Sequence, residues 1–338
     1  MSTEFSLSSV AKIPLVSTTE ADRRLGHWIS RPLSIEEVDW AKYQFALVGF
    51  PCDIGVGRNG GRVGAANAPN EIREQLYKMT PDVRLEGRFE NILSRTVDLG
   101  NLSLAQASLT TLGKVDPFAL PMEEAQEKLG AIVAFLLSRE IVPIILGGGH
   151  ETAYGHFLGY QKAQKEVSIV NWDVHTDVRP LKRGKENEVK KGHSGSPFRQ
   201  ALFLENSVCS KYSVYGLNPF AVGQDQLDFL REPKREYAFC EEVTDEFIEK
   251  VYRNMDSPQM VTFDMDSVDQ AFAPGVSAPA AVGLSKERWL RVAYCAGRSK
   301  MCSSFDLVEI NPRVDIDRQT ARLGALTIWK IFQGLSER

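Results

Sequence analysis

The sequence predicts an α/β protein in which a mainly parallel sheet is covered by helices on both faces. Short apolar runs alternate with stretches of helical spacing from residue 43 onward, and no repeat or Pro/Gly/Ser-rich linker interrupts them. The bulk figures agree: 338 residues, 43% hydrophobic and 25% charged, suffice to bury a full core.

In chain order, the runs 43–50 (YQFALVGF), 95–99 (RTVDL), 142–146 (VPIIL), 167–173 (VSIVNWD), 212–215 (YSVY), 260–266 (MVTFDMD) and 303–309 (SSFDLVE) read as buried strands. Helical spacing marks 69–79, 122–139, 151–162, 224–231, 244–254, 285–297 and 318–335. Residues 1–40 are polar with weak periodicity and read as an N-terminal extension, loosely packed on a single domain spanning 41–338. The segment 182–192 (KRGKENEVKKG) reads as a charged, mobile loop. In such sheets ligands bind beyond the carboxyl ends of the strands.

Composition narrows the function classes. Forty Lys and Arg against 44 Asp and Glu, net −4 and without a basic block, argue against a nucleic-acid partner. Cys52, Cys209, Cys240, Cys295 and Cys302 form no C-x-x-C pair and read as reduced thiols of a cytoplasmic protein. The N-terminus lacks the basic start and apolar run of a signal peptide. The apolar runs 131–137 and 141–146 are split by Ser138, Arg139 and Glu140, so no membrane span is expected.

Polar residues collect at three strand ends. Alternate side chains of an extended segment face one way, so Asp173, His175 and Asp177 point into one site. Asp264 and Asp266 repeat the device, and Gly147-Gly148-Gly149 lets the backbone turn to present His150. Four converging carboxylates would repel one another and take up protons unless cations offset them. With no cysteine among the candidates and carboxylates outnumbering imidazoles, a hard ion such as Mn²⁺ is favoured over structural Zn²⁺. Six ligands suit two metals sharing carboxylates at roughly 3.5 Å and activating a bridging water. The alternative, strand-end aspartates acting only as turn formers and caps, weakens when three such motifs occur together.

Two further patterns carry less. Residues 55–60 spell G-x-G-x-x-G, but the next helical pattern opens only near Pro69, against a dinucleotide turn; the segment is expected to border the cleft, shaped by Asp53 and Arg62. His150 and His156, six apart, lie about 240° apart on a helix, so His156 reads as a packed residue. Asp269 reads as supporting its loop.

The segments GGGHE (147–151), DVHTD (173–177), FDMDSVD (263–269) and DLVEINP (306–312), with GFPCD (49–53) and GGRVG (60–64), resemble the ureohydrolases: arginase, agmatinase and formimidoylglutamase. The resemblance covers about 45–335 and implies a three-layer αβα arginase-like fold and trimers or hexamers. It also implies two Mn²⁺ ions. His150, Asp173, Asp177 and Asp264 would hold one, and Asp173, His175, Asp264 and Asp266 the other, with Asp173 and Asp264 bridging. Arginase- and agmatinase-like chains place a proton-shuttling His in an H-G-x-P segment, where this chain has Ser194. The S-G-S-P-F segment and Asp177-Val178-Arg179-Pro180 resemble formimidoylglutamase, which usually has Asn where His193 stands.

A small anionic amidine substrate follows from that resemblance. Arg179 would pair with a substrate carboxylate, or else offset the aspartates electrostatically. Glu309 would orient the cationic head. Ser194 and His193 are further candidate contacts, His193 open to substrate or solvent. The expected reaction is hydrolysis of N-formimidoyl-L-glutamate to L-glutamate and formamide in histidine breakdown, by attack of a metal-bridging hydroxide with Asp177 carrying the proton to the leaving nitrogen. The rivals are a hydrolase of another guanidino compound that releases urea, and a non-catalytic arginase-like subunit.

Overall fold

Period-two alternation sorts the core into two layers. In strand β2 (Phe45–Gly49), Phe45 and Leu47 face one apolar layer while Ala46 and Val48 face the other. The first layer is closed by helices Ala68–Leu76, Lys286–Arg298 and Gln319–Leu335, the second by Met122–Leu137 and Thr152–Ala163. The result is the expected three-layer α/β arrangement. The computed structural model describes residues 5–16, 19–105, 107–109, 115–184 and 189–338.

The remaining strands are β1 (Leu7–Ser8), β3 (Thr96–Leu102), β4 (Val142–Leu146), β5 (Val167–Trp172), β6 (Cys209–Leu217), β7 (Arg235–Phe239), β8 (Gln259–Asp264) and β9 (Cys302–Val308). Among the described residues they form one sheet in the order β1-β3-β2-β4-β9-β8-β5-β6-β7, parallel throughout except for β1 against β3. The order places β4, β9, β8 and β5 side by side. Their carboxyl ends run into Gly147–His150, Glu309, Asp264–Asp266 and Asp173–Asp177, so strands distant in sequence deliver the candidate residues to one edge.

The described part of residues 1–40 departs from the loosely packed expectation. Phe5, Val10, Leu25, Ile29 and Val38 are buried, and Leu7 pairs with Leu102. The Leu25 N–H donates to the Met79 carbonyl at 2.9 Å. These anchors are scattered singly, so no periodicity announces them. Short elements at Ile54–Asn59, Arg88–Ser94, Pro197–Phe203 and β7 also lie outside the sequence expectation. Lys182 and Lys191 form an antiparallel bridge at the base of the charged loop, whose residues 185–188 fall outside the described residues. No helix among the described residues is long and apolar enough to cross a membrane.

Candidate metal centre

The backbone at the strand ends is shaped to present side chains. The Gly149 N–H donates to the Cys52 carbonyl and the Glu309 N–H to the Gly148 carbonyl, at 2.9 and 2.8 Å. A Cβ on Gly148 would overlap the Cys52 carbonyl oxygen, so only glycine fits there. Asp177 and Glu309 hold left-handed backbone, φ +46° and +66°, which is costly for residues with a Cβ and turns both carboxylates toward the cleft.

Two overlapping clusters result. His150 Nδ1 lies 2.8 Å from Asp177 Oδ2, 2.9 Å from Asp264 Oδ2 and 3.4 Å from Asp173 Oδ2. His175 Nδ1 lies 3.2 Å from Asp266 Oδ2 and 3.5 Å from Asp173 Oδ1. In each cluster the candidate ligand atoms fall within 4.8 Å of one another, and Asp173 belongs to both. Asp264 belongs to the first; its Oδ1 accepts the Asp266 N–H at 2.9 Å, much as Asp173 Oδ1 accepts the His175 N–H at 2.6 Å. The same Asx device thus folds both D-x-[HD] segments and aims each aspartate's Oδ2 at His150.

The donor set fits divalent cations. His150 Nδ1 and Asp266 Oδ1 are buried and make no hydrogen bond, the geometry of ligands gathered around a positive centre. Burial, then repulsion from Asp266 and Asp173, pushes the Asp264 carboxyl well above the ordinary range; burial, partly offset by His175, raises Asp266 to about 6. Burial opposes a charged Asp173, but the imidazoles of His150 and His175 beside it outweigh burial and lower its pKa. Cations would relieve the raised carboxyls. All six residues resemblance assigns to metal are therefore adjacent, and oxygen ligands dominate, as Mn²⁺ prefers.

Beside the acids opens a cavity of about 200 Å³, with Asn59, Gly60, Gly61, Arg179 and Ser194 on its wall and Glu309 at its acidic end. Arg179 and Ser194, both expected to meet substrate, line this cavity. His193, expected to meet substrate or solvent, does not line it. Its ring is buried, its Nδ1 accepts the Gly195 N–H at 3.1 Å, and its Nε2 lies 3.0 Å from the Pro180 carbonyl. His193 therefore braces the loop that carries Ser194.

The G-x-G-x-x-G segment borders the cleft as expected, through Val56, Asn59 and Gly60, but as helix Ile54–Asn59 rather than a loop, with the Gly55 N–H donated to Glu151 Oε1 at 2.7 Å. Asp53 and Arg62 shape it as expected, Asp53 accepting from the Gly64 and Leu109 N–H groups and Arg62 donating to the Val276 and Ser277 carbonyls. Asp269 accepts the Ala271 N–H within its own loop. His156 packs against Ser304 and Asp306 at 2.6 and 2.7 Å. That connectivity imitates a hydrolytic triad, but all three are buried and none lines the cleft. Sequence reasoning missed Asn59, hidden inside a glycine pattern, and Thr262, whose Oγ1 lies 3.0 Å from His150 Nε2.

A parallel α/β sheet whose central strand ends converge four aspartates and two histidines beside a small cleft defines the class: metal-dependent hydrolases of the three-layer type. Residues 43–333 match the arginase family model, and the chain belongs to the arginase family. It is similar to the formimidoylglutamase of Lysinibacillus sphaericus, 32% identical over 300 residues covering 86% of this chain and 84% of that one. It is 34% identical to that of Salmonella arizonae over 325 residues, 91% of each. Trypanosoma cruzi formiminoglutamase with Mn²⁺ aligns with a TM-score of 0.78 at 26% identity, over 94% of this chain and 99% of that one. The formimidoylglutamase of Bacillus subtilis shares the fold, with a TM-score of 0.79 at 18% identity over 97% of this chain and 96% of that one.

Proposed function

We propose that the protein is a Mn²⁺-dependent formimidoylglutamase, holding two Mn²⁺ per subunit and hydrolysing N-formimidoyl-L-glutamate to L-glutamate and formamide in histidine degradation. The observation that carries this reading is Arg179. It lines the cleft beside the acid clusters, and its guanidinium has no hydrogen-bond or ion-pair partner among the described residues. A cationic agmatine tail would be repelled there, whereas a carboxylate would be held in the planar, paired geometry guanidinium favours.

When bound, the metal pair supplies a water acidic enough to act as hydroxide near neutral pH. The chain's residues do the rest. Glu309 Oε1 is fixed by the His150 N–H at 2.6 Å, which leaves the second carboxylate oxygen for the amidinium head. The planar formimino carbon gains the water oxygen, and its bond to the glutamate nitrogen breaks. Asp177, at the edge of the cleft beside Arg179, passes a proton released by the water to that nitrogen as it leaves. Water and the amidinium become formamide and the ammonium of L-glutamate.

A substrate panel after Mn²⁺ loading, scored separately for formamide and urea, tests the reading. Formamide from N-formimidoyl-L-glutamate supports it. Urea from arginine, agmatine or a guanidino acid overturns it in favour of another ureohydrolase activity, and only trace metal after loading would revive the non-catalytic subunit.

A further inference from the structure

A second cation stands behind the cleft residues Arg179 and Asn59. Lys182, three residues after Arg179, reaches across to the cleft-lining Asn59 and donates to its backbone carbonyl at 3.1 Å and to its Oδ1 at 2.8 Å. No carboxylate pairs with Lys182 among the described residues. The Asn59 amide is thereby oriented, and its Nδ2 donates to Ser194 Oγ at 3.3 Å. Gly195 keeps the space open: a side chain there would meet Asn59 Nδ2 at 3.0 Å and Arg179 Cδ at 3.2 Å. Among the described residues, two cations without a carboxylate partner thus stand close together, Arg179 lining the cleft and Lys182 bonded to its lining residue Asn59. Burial, then the like charge of Arg179, lowers the Lys182 pKa.

The wall's hydrogen-bonding balance is one-sided. Lys182 occupies the acceptors of Asn59, and Ser194 Oγ already accepts from Asn59. What remains is mostly donors: the third Nζ–H of Lys182, the second Nδ2–H of Asn59, the Ser194 hydroxyl and the five N–H groups of the Arg179 guanidinium, against one lone pair each on the Asn59 and Ser194 oxygens. Such a wall is suited to anionic oxygens, and with two separate cations to more than one carboxylate.

We propose that Lys182, oriented with Asn59 and Ser194, forms a second carboxylate subsite beside Arg179, so that the enzyme selects dicarboxylic amidines over monocarboxylic ones. This rests on the formimidoylglutamase reading and adds to it the group that reads the second carboxylate. Arg179 takes one carboxylate and the Lys182–Asn59–Ser194 array the other, while the amidinium lies toward Glu309.

The test compares N-formimidoyl-L-glutamate with its γ-amide, N-formimidoyl-L-glutamine, on Mn²⁺-loaded wild type, Lys182→Met and Lys182→Arg, each checked for an unchanged melting temperature. Wild type should prefer the diacid by about 10- to 100-fold in kcat/KM, the size of one charge-assisted hydrogen bond. Lys182→Met should raise KM for the diacid by a similar factor, hold kcat within about threefold and bring the two substrates to near parity. Lys182→Arg should keep most of the preference. A diacid preference that survives Lys182→Met overturns the subsite. If wild type hydrolyses neither compound, the functional reading itself fails, and calorimetric binding of L-glutamate against L-glutamine to wild type and Lys182→Met decides the subsite: equal discrimination by both proteins overturns it.

Discussion

Glu309 Oε1 accepts the backbone N–H of His150 at 2.6 Å, joining the turn after β4 to the end of β9 across the metal centre. One carboxylate oxygen is therefore structural, while the residue also lines the cleft. Glu309→Gln retains a carbonyl oxygen for His150 while removing the charge, so it isolates the second role. The expected outcome is full Mn²⁺ content by metal analysis with kcat reduced by about 100-fold or more. Loss of metal in this variant would place Glu309 in the ligand shell instead.

Thr262 Oγ1 lies 3.0 Å from His150 Nε2. An Nε2–H donated to Thr262 leaves the Nδ1 lone pair directed at the three aspartate oxygens, the tautomer a cation needs. Thr262→Val keeps the shape and removes the acceptor. Mn²⁺ affinity, followed by electron paramagnetic resonance titration, should fall about 10- to 100-fold, with Thr262→Ser restoring it. Unchanged affinity in Thr262→Val would leave the hydroxyl with a packing role.

Arg179 is set apart from the metal ligands by what it touches. Its stem packs beside Gly195, and its head lies on the cleft wall without a hydrogen-bond or ion-pair partner among the described residues. Arg179→Lys preserves charge but loses the planar fork. KM for the amidine should rise about 10-fold or more while Mn²⁺ content and the melting temperature stay at wild-type values. An unaltered KM would make Arg179 an electrostatic counterweight to the aspartates.

The carboxylate ladder at Asp173–Asp177 and Asp264–Asp266 is legible in the sequence because period two in extended chain requires no tertiary information. The polar row beneath it is not. Asn171, Thr262 and Asp306 become neighbours only once β5, β8 and β9 pair in register, Asn171 opposite Thr262 and Thr262 opposite Asp306. Asn171 then donates to Asp173 Oδ2 at 3.0 Å, Thr262 meets His150, and Asp306 meets His156. Each is a polar residue between two apolar neighbours, a signal too local to name its partner. Helix Ile54–Asn59 is concealed for a different reason: glycine is a poor helix former, and here it is required by close approach, a Cβ on Gly55 meeting the Glu151 carboxyl at 2.6 Å. Asn59 and its link to Lys182 follow from that helix and share its concealment.

His193 supplies a pH signature that separates bracing from substrate contact. Burial, with Lys182, Arg179 and Arg58 adding positive charge nearby, pushes its pKa down to about 4, while the Pro180 carbonyl partly offsets them. The folded protein thus keeps the ring neutral where an unfolded chain, titrating near its ordinary value of about 6.5, takes up a proton. Its contribution to stability is complete above pH about 6.5 and declines as pH falls toward 4, by on the order of 3 kcal/mol in all. His193→Asn keeps an acceptor for the Gly195 N–H but cannot titrate. At pH 7 the variant should be less stable than wild type by about 1 kcal/mol for the lost Pro180 contact. Between pH 6.5 and 4 that gap should close and then reverse in urea denaturation, because only wild type pays the protonation penalty. KM for the amidine should stay within about twofold, the ring lying outside the cleft wall. A tenfold rise in KM with no pH-dependent change in the stability gap would return His193 to the substrate.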